Sequence, residues 1–403
     1  MSNNFVINSS NNVSIYNNTF KYNFINGNYI IPEGAEMCIN TLVVPYSFYN
    51  VSSFLGNNTF YWTFPVSQSS FKVDTTGSST TITVSSMSAG TAPLQVGSVL
   101  TSSSLPTSTH GSGLIYITAL GTGTGGNGTY TISQAISVVN ISTTCSAVLN
   151  TITLTNGFYT INDIQNALWS SMKTANCYFY NLNPFQNTSN SLGTTNPNII
   201  YPISISTSIS NYTNAFTFQY IPTTTANVET QFGKNWTYAN TTSNILPTTA
   251  STCQIIIPSG VTNTSTNNIG NLLGFISGTY PSSVQTYTNP PTQANSTPYS
   301  VLGNSLTSYT PPFPAVGSNI NAIVIRCNLV NNAISNQPDI LDCSPIATTF
   351  GSNIIYQPVS ENWVRLKAGS YSSMIISFTD QNGNAIYMND PNILLSLLIR
   401  TPE

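Results

Sequence analysis

Met374-Ile-Ile-Ser-Phe-Thr379, Asp380-Gln-Asn-Gly383 and Ile393-Leu-Leu-Ser-Leu-Leu-Ile-Arg400 together decide how the chain is read. Two apolar runs of strand length flank four residues ending in Asn-Gly, a dipeptide that reads as a hairpin turn. The same kind of stretch recurs upstream, at 253–257, 321–330, 353–356 and 363–367. Before these come Thr59-Phe-Tyr-Trp-Thr-Phe64 and Thr151-Ile-Thr-Leu154, the latter running into a second turn signal, Asn156-Gly157. Further strand candidates lie at 199–209 and 215–221, inside the Asn/Ser/Thr-rich stretch 181–250, where long loops are expected. Residues 281–319, rich in Pro, Ser and Thr around Pro290-Pro291 and Pro311-Pro312, read as an extended surface segment.

One helix stands out. Thr160 can cap it and Asp163 lies in its first turn, while Ile161, Ile164, Leu168 and Met172 recur at helical spacing. It is expected to cover one side or end of a β-sandwich.

Asparagine marks a boundary. Of 52 in the chain only Asn127, Asn140 and Asn150 fall between Val66 and Asn150, where ten of the 25 glycines lie. That stretch reads as short strands divided by Gly and Ser, such as 81–84, 114–118 and 128–132. The expected organisation is therefore a small β-domain at 67–149 inserted in a host domain of 1–66 and 150–403. Outside the insert, roughly eight to ten strands and one helix fit an all-β fold, a single jelly-roll β-sandwich.

Eight Lys and Arg and eleven Asp and Glu make the chain only 5% charged, with a net charge of −3, against about a quarter charged in an ordinary domain. Polarity comes instead from Asn, Ser, Thr and Tyr, so neighbouring molecules repel weakly. That suits a subunit packed among others; drift of an AT-rich genome towards Asn codons is a second contributor. The scattered cations argue against a basic nucleic-acid face. The apolar run 393–399 is too short to span a bilayer, and the N-terminal residues carry no signal-peptide pattern.

Chemistry-bearing residues are few. His110, the one histidine, lies in a Gly/Ser-rich loop and reads as an exposed loop residue. The acids Asp339, Asp342, Asp380 and Asp390 sit near Pro, Gly or Asn, where such side chains cap turns; hydrolytic work by a pair of them is the rival reading. Gly121-Thr-Gly-Thr-Gly-Gly126 lacks the lysine and following helix of a phosphate loop and reads as a β-turn. Six separate cysteines (Cys38, Cys145, Cys177, Cys253, Cys327, Cys343) show no zinc spacing and are expected as buried thiols, with disulfides the alternative. No catalytic, cofactor-binding or metal-ligating residue is assigned, and no cofactor is expected.

Several host segments resemble the jelly-roll penton and minor capsid proteins of nucleocytoplasmic large DNA viruses and their virophages. They are Glu36 to Asn50 with Asn57-Asn-Thr-Phe60, Ile152 to Asp163, Asn271-Leu-Leu-Gly-Phe275 with Tyr280-Pro281, Asn321 to Asn328 running on to Asp339-Ile-Leu341, and Trp363 to Arg400. The resemblance implies a non-enzymatic structural protein of the virion capsid shell, assembled in the host cytoplasm. In one role it is the penton, a homopentamer at the five-fold vertices of an icosahedral virion. In another it is a minor protein cementing the major capsid protein and other minor capsid proteins. The implied partners are thus itself and other shell proteins, without nucleic acid or membrane insertion. The insert, whose 121–134 stretch resembles repeat modules of phage and viral surface proteins, is expected to project outward and to meet a host glycan or receptor. A receptor- or glycan-binding fibre-type protein is the rival function.

Overall fold

The computed structural model describes residues 2–25, 27–53, 55–89, 91–182, 199–208, 213–224, 228, 232, 235–240, 246–247, 250–258, 269–282, 286–287, 306–309, 320–333, 335 and 337–401. Most of the Pro-rich segment 281–319, and much of the loop-rich stretch 181–250, lies outside them.

The first strands are β1 (Ser2–Asn8), β2 (Thr19–Asn23), β3 (Tyr29–Ile31) and β4 (Glu36–Pro45). Next come β5 (Thr59–Asp74), β6 (Ser79–Ser85), β7 (Ile117–Leu120), β8 (Gly128–Ile136) and β9 (Ile141–Thr153), followed by helix α1 (Ile161–Thr174). After several shorter strands come β10 (Gln254–Ile257) and the one-turn helix α2 (Ile269–Leu273). The chain finishes with β11 (Ala322–Cys327), β12 (Ile340–Pro345), β13 (Asn353–Tyr356), β14 (Val364–Arg365), β15 (Gly369–Tyr371), β16 (Ser373–Thr379) and β17 (Leu394–Arg400).

Contacts divide the chain into two units, residues 1–50, 156–158 and 318–403, and residues 51–155 and 159–317. The first unit is a jelly roll. One sheet has the order β1-β17-β4-β13, with β14 also on β4, and the other has the order β2-β16-β11-β12. Successive long strands thus keep changing sheets, with first, eighth, third and sixth in one and second, seventh, fourth and fifth in the other, which is jelly-roll order. Alternation makes the core: Met374, Ile376 and Phe378 of β16 and Leu395, Leu397 and Ile399 of β17 are all buried in one cluster with Phe20, Met37 and Ile323. Burial stabilises by roughly 1.5–3 kcal/mol for each such side chain.

The Asp380–Gly383 turn forms, but it does not join the two strands that flank it. Gly383 takes a φ of +83° and its N–H donates to Asp380 O at 3.0 Å, while Thr379 bridges Ala385. Beyond this short hairpin the chain crosses to the facing sheet, because β17 pairs with β1 and β4 while β16 pairs with β2 and β11.

Among the described residues, no strand between 51 and 317 joins either jelly-roll sheet. The expected insert, 67–149, lies within the second compact unit. β5 and β9 run through both of its ends, paired from Thr59↔Thr153 to Val73↔Ile141 with an irregularity between Pro65 and Ser69. One face of the near half, carrying Phe60, Trp62, Phe64, Val148 and Ile152, lies in the unit's main core. Beyond the irregularity, Phe71, Val73 and Cys145 belong to a second cluster with Ile82, Ile117 and Tyr130, drawn wholly from within 67–149.

Helix α1 lies in this second unit, so it covers the main core there and not the jelly roll. Ile164, Leu168 and Met172 are its buried residues. Thr160 caps it through a reciprocal box with Asp163, whose Oδ2 accepts the Thr160 hydroxyl at 2.7 Å and its N–H at 2.8 Å. These bonds hold the Asp163 carboxyl below its ordinary pKa. Thr160→Ala is expected to lower stability by about 1 kcal/mol at neutral pH. A depressed folded pKa contributes stability above the unfolded value and loses it as pH falls through the folded value. The difference between wild type and Thr160→Ala, followed by denaturant melts, should therefore shrink in acid.

Candidate functional site

The residues with chemical potential are placed separately. His110 does stand in a loop, but it is half-buried, not exposed, because its ring is held edge-on to Tyr61 and Tyr116 at centroid distances of 5.6 and 5.1 Å. Nδ1 faces two donors, the Ser112 N–H at 3.2 Å and Ser112 Oγ at 2.9 Å. The proton is therefore assigned to Nε2, which donates to the Tyr116 hydroxyl at 3.2 Å. Burial lowers the imidazole pKa and raises those of Tyr61 and Tyr116. Ser112 is buried and its Oγ also accepts the Leu114 N–H at 3.2 Å, so the group serves to latch the loop.

Each acid has its own partners. Asp339 pairs with Arg326 at 3.1 Å. Asp342 lies inside β12, not in a turn, and accepts the Tyr356 hydroxyl at 3.0 Å. Burial, helped by the Asp342 charge, pushes Tyr356 up to about 12. Asp380 is buried and accepts the N–H groups of Asn382 and Asn384 at 2.9 and 2.7 Å, and Asp390 accepts that of Asn392 at 2.9 Å, as turn-capping carboxylates do. Among the described residues no group of three or more His, Cys, Asp or Glu could hold a metal.

The glycine-rich stretch 121–126 connects β7 to β8 and packs on Tyr130, whose hydroxyl donates to Gly126 O at 2.6 Å. A Cβ on Gly123 would lie 2.3 Å from that ring, which explains the glycine without a phosphate. All six cysteines are free thiols; five are buried and Cys343 is exposed. Burial pushes Cys327 up to about 12 and Cys38 up to about 11, and also raises Cys343, with Asp342 adding to it. A thiol reagent at mildly alkaline pH is accordingly expected to titrate one cysteine of the native chain, slowly, and six after denaturation.

What the sequence reading missed is a surface. On the outward face of the sheet β1-β17-β4-β13, Leu394 stands directly opposite Val43, and Val43 opposite Ile355. Leu394 is 45% exposed and Ile355 68% exposed, with Val43 half-buried between them, and Val6 on β1 is 45% exposed. The apolar row runs across three strands, β17, β4 and β13, with Val6 offset from it on β1 opposite Ser396. At the far end of the same two central strands Arg400 pairs with Glu36, Nη2 to Oε2 at 2.5 Å, and its guanidinium sits 4.2 Å from the Trp363 ring centroid. A cleft of about 520 Å³ opens there beside Trp363 and Arg365. The face thus offers non-directional apolar contact at one end and an anchored aromatic with a charge pair at the other, the elements of a protein interface.

No family model matches the sequence, and no curated protein matches it. Among solved structures, that of the mavirus penton protein is similar to the chain, with a TM-score of 0.35 and 8% sequence identity over 100% of this chain and 99% of that one.

Proposed function

We propose that the chain is a non-enzymatic capsid protein of a large icosahedral double-stranded DNA virus, the penton that forms homopentamers at the five-fold vertices of the shell. The observation that carries this reading is the apolar row Leu394–Val43–Ile355 on the open face of a jelly-roll sheet. Apolar area left in water favours association by roughly 25 cal/mol per Å² once covered. In a chain only 5% charged, little long-range repulsion opposes that covering. The order of motif-like segments from Glu36 to Arg400 supports the same family of roles. The partners are further copies of this chain, the major capsid protein and other minor capsid proteins. The segment 67–149, with its own apolar cluster, is an inserted β-domain turned outward from the shell. No catalytic, cofactor or metal site is part of this reading.

The same face would also suit a minor cement protein lying against major-capsid arrays. Solution mass separates the two: sedimentation of the full chain is expected to show a stable pentamer, and a monomer at micromolar concentration would overturn the penton in favour of the cement role.

A further inference from the structure

A second cavity lies wholly within the unit formed by residues 51–155 and 159–317, at the C-terminal end of α1. Its volume is about 330 Å³, and its lining includes four carboxamide residues, Gln95, Asn150, Asn176 and Asn240, with Phe64 and Val148 among the apolar ones. We infer that this cavity binds a neutral sugar, as a free monosaccharide or as the terminal residue of a glycan.

Three observations carry the assignment. First, the lining contains no charged side chain. An ionic ligand taken in there would lose its hydration without meeting a counter-charge, which disfavours anions and cations alike. Second, a carboxamide presents donors and an acceptor side by side, and four of them around one space match a ring of hydroxyls, each able to donate once and accept twice. Third, Asn150 Nδ2 is buried and has no hydrogen-bond partner. A donor left so costs on the order of 1–3 kcal/mol, and such groups in native structures call for an unseen partner.

Size and placement agree. The volume lies at the lower end of the roughly 300–1,000 Å³ of small-molecule pockets, which fits one or two sugar residues better than a long chain. Asn150 sits in β9 opposite Trp62, which fixes the backbone that carries its amide. Asn176 follows the helix with a φ of +52° and donates its N–H to Lys173 O at 3.1 Å, which fixes the backbone from which its amide projects at the rim. Val96, 55% exposed, gives the mouth an apolar edge on which the C–H face of a pyranose can rest. Thr174 is already engaged with Ser170 O at 3.0 Å and is not needed.

The full chain should be tested by saturation-transfer NMR and calorimetry against methyl galactoside, methyl glucoside and N-acetylglucosamine, with glucuronic acid and sialyllactose as charged counterparts. At least one neutral probe is expected to saturate. Its affinity should fall about tenfold or more in Gln95→Ala and in Asn176→Gly, both at the rim and expected to melt like wild type, and further in Asn150→Leu. The assignment is overturned if no neutral probe binds at millimolar concentration, if a charged probe binds more tightly, or if both rim variants bind undiminished. Loss of pentamer formation would leave it standing, since the two rest on different units of the chain.

Discussion

Replacing Ile355 and Leu394 together by Asp is expected to leave the jelly-roll unit folded while weakening the self-association proposed above by about 100-fold, roughly 3 kcal/mol. Ile355 is 68% and Leu394 45% exposed, so the folded monomer loses only part of their apolar burial when they become polar. Once the row is covered by a neighbour the balance reverses, because two carboxylates would be desolvated without partners. Val43 lies between them in register, so the two carboxylates would flank it on either side and leave no uninterrupted apolar row. Circular dichroism should match wild type, and sedimentation should show monomers at concentrations where wild type is assembled. A doubly substituted chain that still forms pentamers with unchanged affinity would remove the outward sheet face from the interface.

Trp62→Ala is expected to cost the second unit about 3–5 kcal/mol, as large-to-small changes of buried aromatics do. Trp62 is 0% exposed, packs beside Phe64 at 5.6 Å between ring centroids, and its Nε1 donates to Ser171 Oγ of α1 at 2.8 Å. Removing the ring opens a cavity between β5 and the helix and leaves the serine without its donor. Trp62→Phe retains most of the volume and should cost only about 1–2 kcal/mol. Because the chain comprises two compact units, calorimetry should show the shift confined to one transition if they melt separately. An alanine variant within about 1 kcal/mol of wild type would mean that the helix does not depend on this contact.

The elements most legible in the sequence were those specified locally. The Thr160 cap, Asp163 and the spacing of Ile164, Leu168 and Met172 all act within one helix, and α1 appears where they place it. Most strands of the last third were legible for the same reason, but β12 was not, since Asp339 and Asp342 read as turn residues. Which strand pairs with which was not: β16 and β17 are separated by a readable turn yet belong to facing sheets, since their partners β2 and β1 lie more than 300 residues away. Asparagine content carries no information on pairing, and the points it marked are ones that β5 and β9 run straight through. His110 looked exposed because the ring that covers it, Tyr61, comes from a distant strand. The apolar row was invisible for a related reason: Leu394, Val43 and Ile355 read as ordinary strand residues until register shows them side by side on the outer face.

The point at which residues 51–317 enter the jelly roll has a bearing on its biogenesis. β1, β2 and β4 leave the ribosome first, but the strands they pair with, β13, β14, β16 and β17, are translated after the whole second unit. At roughly 5–20 residues per second the early strands wait on the order of tens of seconds with their apolar faces and edges unpaired. The second unit can fold in that interval, before the strands that complete the jelly roll have been made. Nascent-chain capture by a chaperone, or aggregation in its absence, should therefore centre on the first 50 residues and end as Arg400 emerges.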